Sequence, residues 1–308
     1  MTDPSLAVLT GPVPDRGYGS LDAWLGALES LPGGGSAERA LRAGLHADRL
    51  GYAFVGGYFA ALARLVDQGA QLVPPLPRRV SFAVTENGGG HPKAIETRLE
   101  ESDGHVTLTG EKAFATLAGV ADELLVVATR GKDAAGRNQL AVVRVPTKAP
   151  GVRITPREPT PFAPEVPHAR VVLDGVRVPA SAVLPGDGYD RWVKPFRTVE
   201  DVHVLGATLA YLVRVARTHG FAPALVAELI AHAALVPTLA AAHPSSPEVH
   251  VALAGLFAGA RRTIDALRPE WPKAALEARE HFERDRPLLQ VAEQARAARF
   301  EAAWKALA

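Results

Sequence analysis

The feature that most constrains this chain is a double change of hydrophobic period. From Leu21 to Gln68 apolar residues recur at helical spacing, with Leu41, Leu45 and Leu50 on one stripe. Ser20 and Ser36 sit where N-caps are expected, and Pro32 through Gly35 breaks the run. From about Arg79 to Pro185 the period becomes two. The runs Val80–Val84, Val106–Leu108, Leu124–Val127, Leu140–Val143 and Ala169–Leu173 are bounded by Gly, Asp and Pro turns and have no helical stretch between them. After Gly188 alanine and leucine rise, and Trp192, Phe196, Val199, Val202, Leu209, Val213 and Ala216 trace one side of a long helix. Further helical stretches follow, interrupted near Pro223, Pro244, Pro269 and Pro287.

Closely spaced strands without intervening helices cannot make the crossovers of a parallel sheet, so the middle region reads as an antiparallel sheet or barrel. The expected class is α+β: an N-terminal helical region over 1–78, a middle antiparallel β domain over 79–185 and a C-terminal helical bundle over 186–308.

Composition then narrows function. Lys plus Arg number 34 against 33 Asp plus Glu with no block of like charge, so neither nucleic acid nor an anionic membrane surface is an expected partner. No stretch reads as long and apolar enough to cross a bilayer, and the opening Met1–Ser5 lacks the basic start of a leader, which together point to the cytoplasm. With no cysteine, every thiolate nucleophile, disulfide and cysteine metal site is excluded. The 10 histidines include no His-Glu-x-x-His phrase, and His243 with His250 has no carboxylate pair at ligand spacing, so no metal site is expected. Phosphate-loop, Rossmann and nucleophile-elbow phrases do not occur in their required contexts. The charged tail Glu293–Glu301 reads as a solvated helix face with Phe300 and Trp304 packed inward.

Three phrases of the middle region carry a resemblance. Phe82-Ala83-Val84-Thr85-Glu86-Asn87-Gly88-Gly89-Gly90-His91 stands in place of aromatic-x-x-Thr-Glu-Pro-x-x-Gly-Ser, with His91 where Ser is usual and Pro92 where Asp is usual. Leu108 to Asp122 follows Leu-x-Gly-x-Lys-x-Trp-Ile-Thr-x-Ala-x-x-Ala-Asp in order and spacing, with Phe114 at the Trp. Gly151-Val152, then Val171 to Ala180 and Leu184-Pro185-Gly186, match a loop and the closing phrase before a long helix. In these phrases the chain resembles the acyl-CoA dehydrogenase family, over roughly Phe82 to Arg217, as a shortened member with altered motifs.

The resemblance implies a flavin enzyme of acyl thioesters. A glutamate removes the proton alpha to the carbonyl, FAD takes hydride from the beta carbon, and hydrogen bonds to the thioester oxygen stabilise enolate charge. It assigns Val84, Thr85, Phe114, Ala115 and Thr116 to the flavin and Gly90 with His91 to substrate. The Gly88–Gly90 run reads either as backbone donors for an anion or as a bare turn, and Thr85 and Thr116 either as flavin contacts or as strand filling. The family's usual Tyr-Glu-Gly-Thr base phrase is absent after Gly220. The minority location on the long helix falls at Glu200, which reads either as the base or as a surface residue paired with His203.

The family's Arg-x-Phe-Gly arm and Gly-Gly-x-Gly phrase are not found, and Arg217-Thr218-His219-Gly220-Phe221 is the nearest substitute for the arm. The implied partners are an acyl group on CoA or a carrier protein, and a second copy through the C-terminal helices. Two alternatives use the same fold: a degenerate homologue serving as a binding or assembly subunit, and a flavin monooxygenase.

Overall fold

The computed structural model of the chain describes residues 4–67 and 79–308, so Gln68, the expected end of the first helical run, lies outside the described residues. The chain divides into two compact units. One is helical and takes the chain up to Arg64, Thr160–Glu165 and Phe196–Ala308; the other takes the described residues of Leu65–Pro159 and Val166–Pro195.

In the helical unit, α1 (Pro4–Thr10) is a short helix that the sequence pattern does not announce, and it buries Val8 and Leu9. Then follow α2 (Leu21–Ser30), α3 (Ser36–His46) and α4 (Leu50–Asp67). Ser20 caps α2 as expected, accepting from Ala23 N at 3.2 Å. At α3 the expectation is corrected: Gly35 is the cap, and Ser36 opens the helix with its hydroxyl turned to His203 at 2.9 Å. The long helix is α5 (Lys194–Thr218), entered through one π-helical turn over Gly188–Val193. Its expected stripe is buried from Trp192 to Ala216.

Two glycines let other helices approach α5 closely. A Cβ on Gly44 of α3 would lie 2.0 Å from Ala207 O, and one on Gly57 of α4 would lie 2.8 Å from Val204 Cα. No L side chain fits at those contacts.

Beyond α5 come α6 (Pro223–Ala233), α7 (Val236–Ala241), α8 (Pro247–Ala266), α9 (Leu276–Asp285) and α10 (Glu293–Leu307). The breaks fall near the prolines that the pattern singled out. Two readings are corrected here. Pro223–Ala241 does have the length and apolarity of a membrane span, with a mean hydropathy of 1.8, but it folds as α6 and α7 with a break at Ala234 and Leu235. Trp304 is 58% exposed rather than packed inward, because α10 buries only Ala303.

The second unit is a seven-stranded sheet: β1 (Val80–Ala83), β2 (Arg98–Ser102), β3 (His105–Thr116), β4 (Glu123–Lys132), β5 (Asn138–Pro146), β6 (Val152–Pro156) and β7 (His168–Pro179). Most pairs are antiparallel, but β1 pairs β4 in parallel, Val80 to Ala83 against Glu123 to Val126, so the sheet is mixed. β2 escapes the periodicity reading because only Leu99 of Arg-Leu-Glu-Glu-Ser is buried. Val and Leu from β3, β4, β5 and β7 form one core, with Leu124, Val126, Val143 and Val171 fully buried.

Within that core sits a charge. Lys112 on β3 is 0% exposed, and its three donors reach Glu86 at 2.5 Å, Val127 O at 2.5 Å and Val84 O at 3.4 Å. Glu86 accepts in addition from Thr97 N and Oγ1, at 3.1 and 2.6 Å, and from Glu96 N at 2.7 Å. Burial pulls Lys112 down to about 8 against the opposing pull of Glu86. Burial alone would raise Glu86, but the Lys112 charge and these hydrogen bonds hold it below the ordinary carboxylate range. The pair is therefore ionised at neutral pH.

Removing one member strands the other in the core. Lys112→Met should lower stability by about 3–5 kcal/mol, read as a shift in the urea unfolding midpoint at unchanged slope. A loss below 1 kcal/mol would show that water reaches the pair.

Candidate functional site

The Glu86–Lys112 pair fixes the backbone on which the expected platform stands. Val84 and Thr85 leave β1 just before Glu86, and Thr85 O accepts from both Ala113 N at 2.9 Å and Phe114 N at 3.4 Å. This doubling occurs at a bulge, where the register of β3 against β7 shifts between Lys112 and Ala115. A bulge re-aims the side chains of its strand. Here Phe114 turns outward and is 37% exposed, while Ala115 is fully buried in the sheet core. The Ala115 side chain lies on the core side, so only its backbone, between Phe114 and Thr116, is left to the expected platform.

Thr85 and Thr116 are half-buried, and their hydroxyls make no hydrogen bond to any described residue, leaving both free to serve a ligand. The Phe114 ring stacks on His168 with centroids 4.2 Å apart, and the Arg157 guanidinium lies 5.6 Å from the Phe114 centroid while donating to Ala113 O at 2.9 Å. Sequence reasoning missed His168 and Arg157. His168 stands opposite Thr116 only through the β3–β7 register, which periodicity does not give. Burial, with Arg157 adding to it, pulls His168 down to about 4, and its buried Nδ1 has no partner. The part-exposed Phe114 ring and the two uncommitted hydroxyls are groups that the planar, acceptor-rich ring of a flavin can use.

The glycine turn fits an anion less well. Glu86 N and Gly89 N each donate across it, to Gly89 O at 3.1 Å and Glu86 O at 2.9 Å, so the Gly89 N–H is already used. Gly90 is half-buried, and the exposed His91 accepts from Lys93 N at 3.2 Å to cap a short 3₁₀ turn. The substitute arm is also engaged: Arg217 donates to Leu9 O at 2.8 Å and Thr10 O at 3.4 Å at the end of α1.

Glu200 belongs to the helical unit, on α5. The alternative in which it pairs with His203 is overturned. His203 Nδ1 donates to Val199 O at 2.7 Å, its Nε2 accepts from Ser36, and burial holds the ring neutral, near 4. Asp201, the next residue, is locked by Arg296 at 3.1 Å and by Arg299. Glu200 has no hydrogen bond or ion pair with a described residue, and burial, helped by Asp201 and opposed by Arg197 and Arg299, pushes its carboxyl up to about 8. Of these two adjacent carboxyls, one is held in ion pairs and the other is raised by burial.

The comparisons with known proteins bear on the sheet unit first. The family model for the acyl-CoA dehydrogenase middle domain matches residues 81–176. Over these residues the chain carries the middle domain of the acyl-CoA dehydrogenase family. It is similar to a probable acyl-CoA dehydrogenase, YngJ, of Bacillus subtilis, 31% identical over 116 residues, which span 37% of this chain and 30% of that relative. In fold it is similar to butyryl-CoA dehydrogenase of Megasphaera elsdenii, with a TM-score of 0.63 at 16% identity over 98% of this chain and 88% of that one. It is also similar to a glutaryl-CoA dehydrogenase of Mycobacterium smegmatis in complex with FADH2, with a TM-score of 0.56 at 16% identity over 98% and 92%. The Thr85-Glu86 and Lys112-x-Phe114 phrases lie within the residues that this family model matches.

The two neutral histidines have a signature in acid. Each has a folded pKa below its unfolded value, so its contribution to stability is full above about 6.5 and is lost as pH falls from there through about 4. The melting temperature should drop over that interval. His168→Gln should take up about one proton fewer on unfolding at pH 5 than the parent chain. An unchanged proton uptake would mean that His168 is not buried neutral.

Proposed function

We propose that this chain is a flavin-dependent oxidoreductase that introduces an alpha,beta double bond into an acyl thioester. The observation that carries this reading is Glu200, an unpaired carboxyl on the long helix raised to about 8 beside an Asp201 locked in ion pairs. A general base works best when its pKa lies near the operating pH.

On this reading the backbone at Val84 and Thr85, the Phe114 face and the Thr85 and Thr116 hydroxyls hold the flavin ring. FAD, when bound, supplies the acceptor for the hydride leaving the beta carbon. The Glu200 carboxylate takes the proton from the carbon alpha to the thioester carbonyl, and the electron pair left behind becomes the new double bond. On the same reading Gly90 and His91 serve as substrate contacts. The acyl carrier, CoA or a carrier protein, and assembly through the C-terminal helices belong to the same proposal.

The test is the visible spectrum of the chain after incubation with FAD and removal of the excess, followed by anaerobic addition of acyl-CoAs. Retained yellow colour that bleaches with substrate is expected, and Glu200→Gln should lower the bleaching rate by at least about 10²-fold, the span of general-base catalysis. Because the base must be ionised, the rate should rise with pH through about 8 and then level. A colourless protein would sink the flavoenzyme reading. Bleaching that survives in Glu200→Gln would move the base elsewhere.

A further inference from the structure

The helical unit holds a cavity of about 400 Å³ between α8 and α10 that neither the platform nor Glu200 lines. Its floor is apolar, from Leu253 and Phe257 on α8 and Phe300 on α10. Its rim is arginine: Arg261 and Arg262 from α8, Arg296 and Arg299 from α10. Arg296 lies 4.4 Å from the Phe257 centroid, joining the two surfaces.

The charges at this rim do not cancel. Asp201 occupies both Arg296 and Arg299, at 12% exposure, and Glu293 pairs with Arg261 at 2.8 Å. Four guanidiniums therefore face two carboxylates, and Arg262 has no hydrogen bond or ion pair with any described residue. Ion pairs as exposed as Arg261 with Glu293 are weak and exchange readily, so Arg261 can follow a better acceptor. An apolar hollow crowned by an excess of two guanidiniums matches a ligand with an aliphatic body and one anionic head. Guanidinium binds carboxylate through paired N–H donors, which fixes the head at the rim.

We propose that this cavity binds a short-to-medium aliphatic carboxylate, its chain on the Leu253, Phe257 and Phe300 floor and its carboxylate on Arg262 and Arg261. The volume lies in the range of small-molecule sites. Octanoate, with about ten heavy atoms at roughly 30 Å³ each in a liquid-like share, fits within it. A thioester carbonyl carries no charge for this rim to meet, and the cavity is lined neither by Glu200 nor by the platform, so the proposal does not depend on flavin or on Glu200.

Isothermal titration of the full chain, prepared without flavin, with octanoate below its micelle concentration tests this. One site per chain is expected, with 1-octanol and inorganic phosphate each at least tenfold weaker. The double change Arg261→Gln with Arg262→Gln, both exposed positions, should weaken octanoate at least tenfold at an unchanged melting temperature. Ala258→Trp, which fills the hollow from its open side, should abolish binding, while Glu200→Gln should leave it unaltered.

Equal affinity for octanol would overturn the proposal in favour of a plain apolar groove, and equal affinity for phosphate in favour of a bare anion patch. Octanoate binding unaffected by the double arginine change would place the ligand elsewhere. If sedimentation shows the chain associating through this face, with octanoate competing, a second copy is the occupant and the proposal fails.

Discussion

A single buried ion pair organises the sheet unit. Lys112 and Glu86 sit where water cannot reach, and an isolated charge there would be intolerable. Each is satisfied in full, and the partners are spread over separate pieces of backbone: the exit of β1 through Val84, the middle of β4 through Val127, and the approach to β2 through Glu96 and Thr97. Ionic geometry is demanding, so these segments have little freedom to shift independently. Thr85 and Phe114 are carried on the same segments, so their placement depends on this pair.

The helical unit solves a different problem with smaller means. Close approach to α5 is secured by absence of side chain, at Gly44 and Gly57, and the buried His203 is satisfied at both ring nitrogens, by Val199 and Ser36. Against that background Glu200 is conspicuous. Its neighbour Asp201 is held by two arginines of α10, while Glu200 itself is desolvated and unanswered.

The sequence made the architecture legible because the change of period at about Arg79 and again at Gly188 is a physical signal of which faces are buried. It could not reveal β2, whose residues face water at four of five positions, nor the parallel seam of β1 against β4, since pairing direction leaves no trace in alternation. The cap at Ser36 misled for a related reason: a serine beside a glycine break looks like a cap, but its hydroxyl was drawn to His203, 167 positions away. For the candidate site, phrase and spacing single out Thr85, Phe114 and Glu200. His168, Arg157 and the assignment of Ala115 to the core depended on strand register and on one bulge, neither of which is written in residue type.

That bulge sets how the platform can change. Because successive residues of a strand alternate faces, the orientation of Phe114 and Ala115 depends on the count of residues between Lys112 and Thr116 rather than on their identity. Point substitutions at Phe114 would retune the surface, exchanging one ring for another. Loss or gain of a single residue there would turn the strand inside out, drawing the aromatic into the hydrophobic interior and presenting a methyl group in its place. Divergence at this position is open to replacement and closed to change of length.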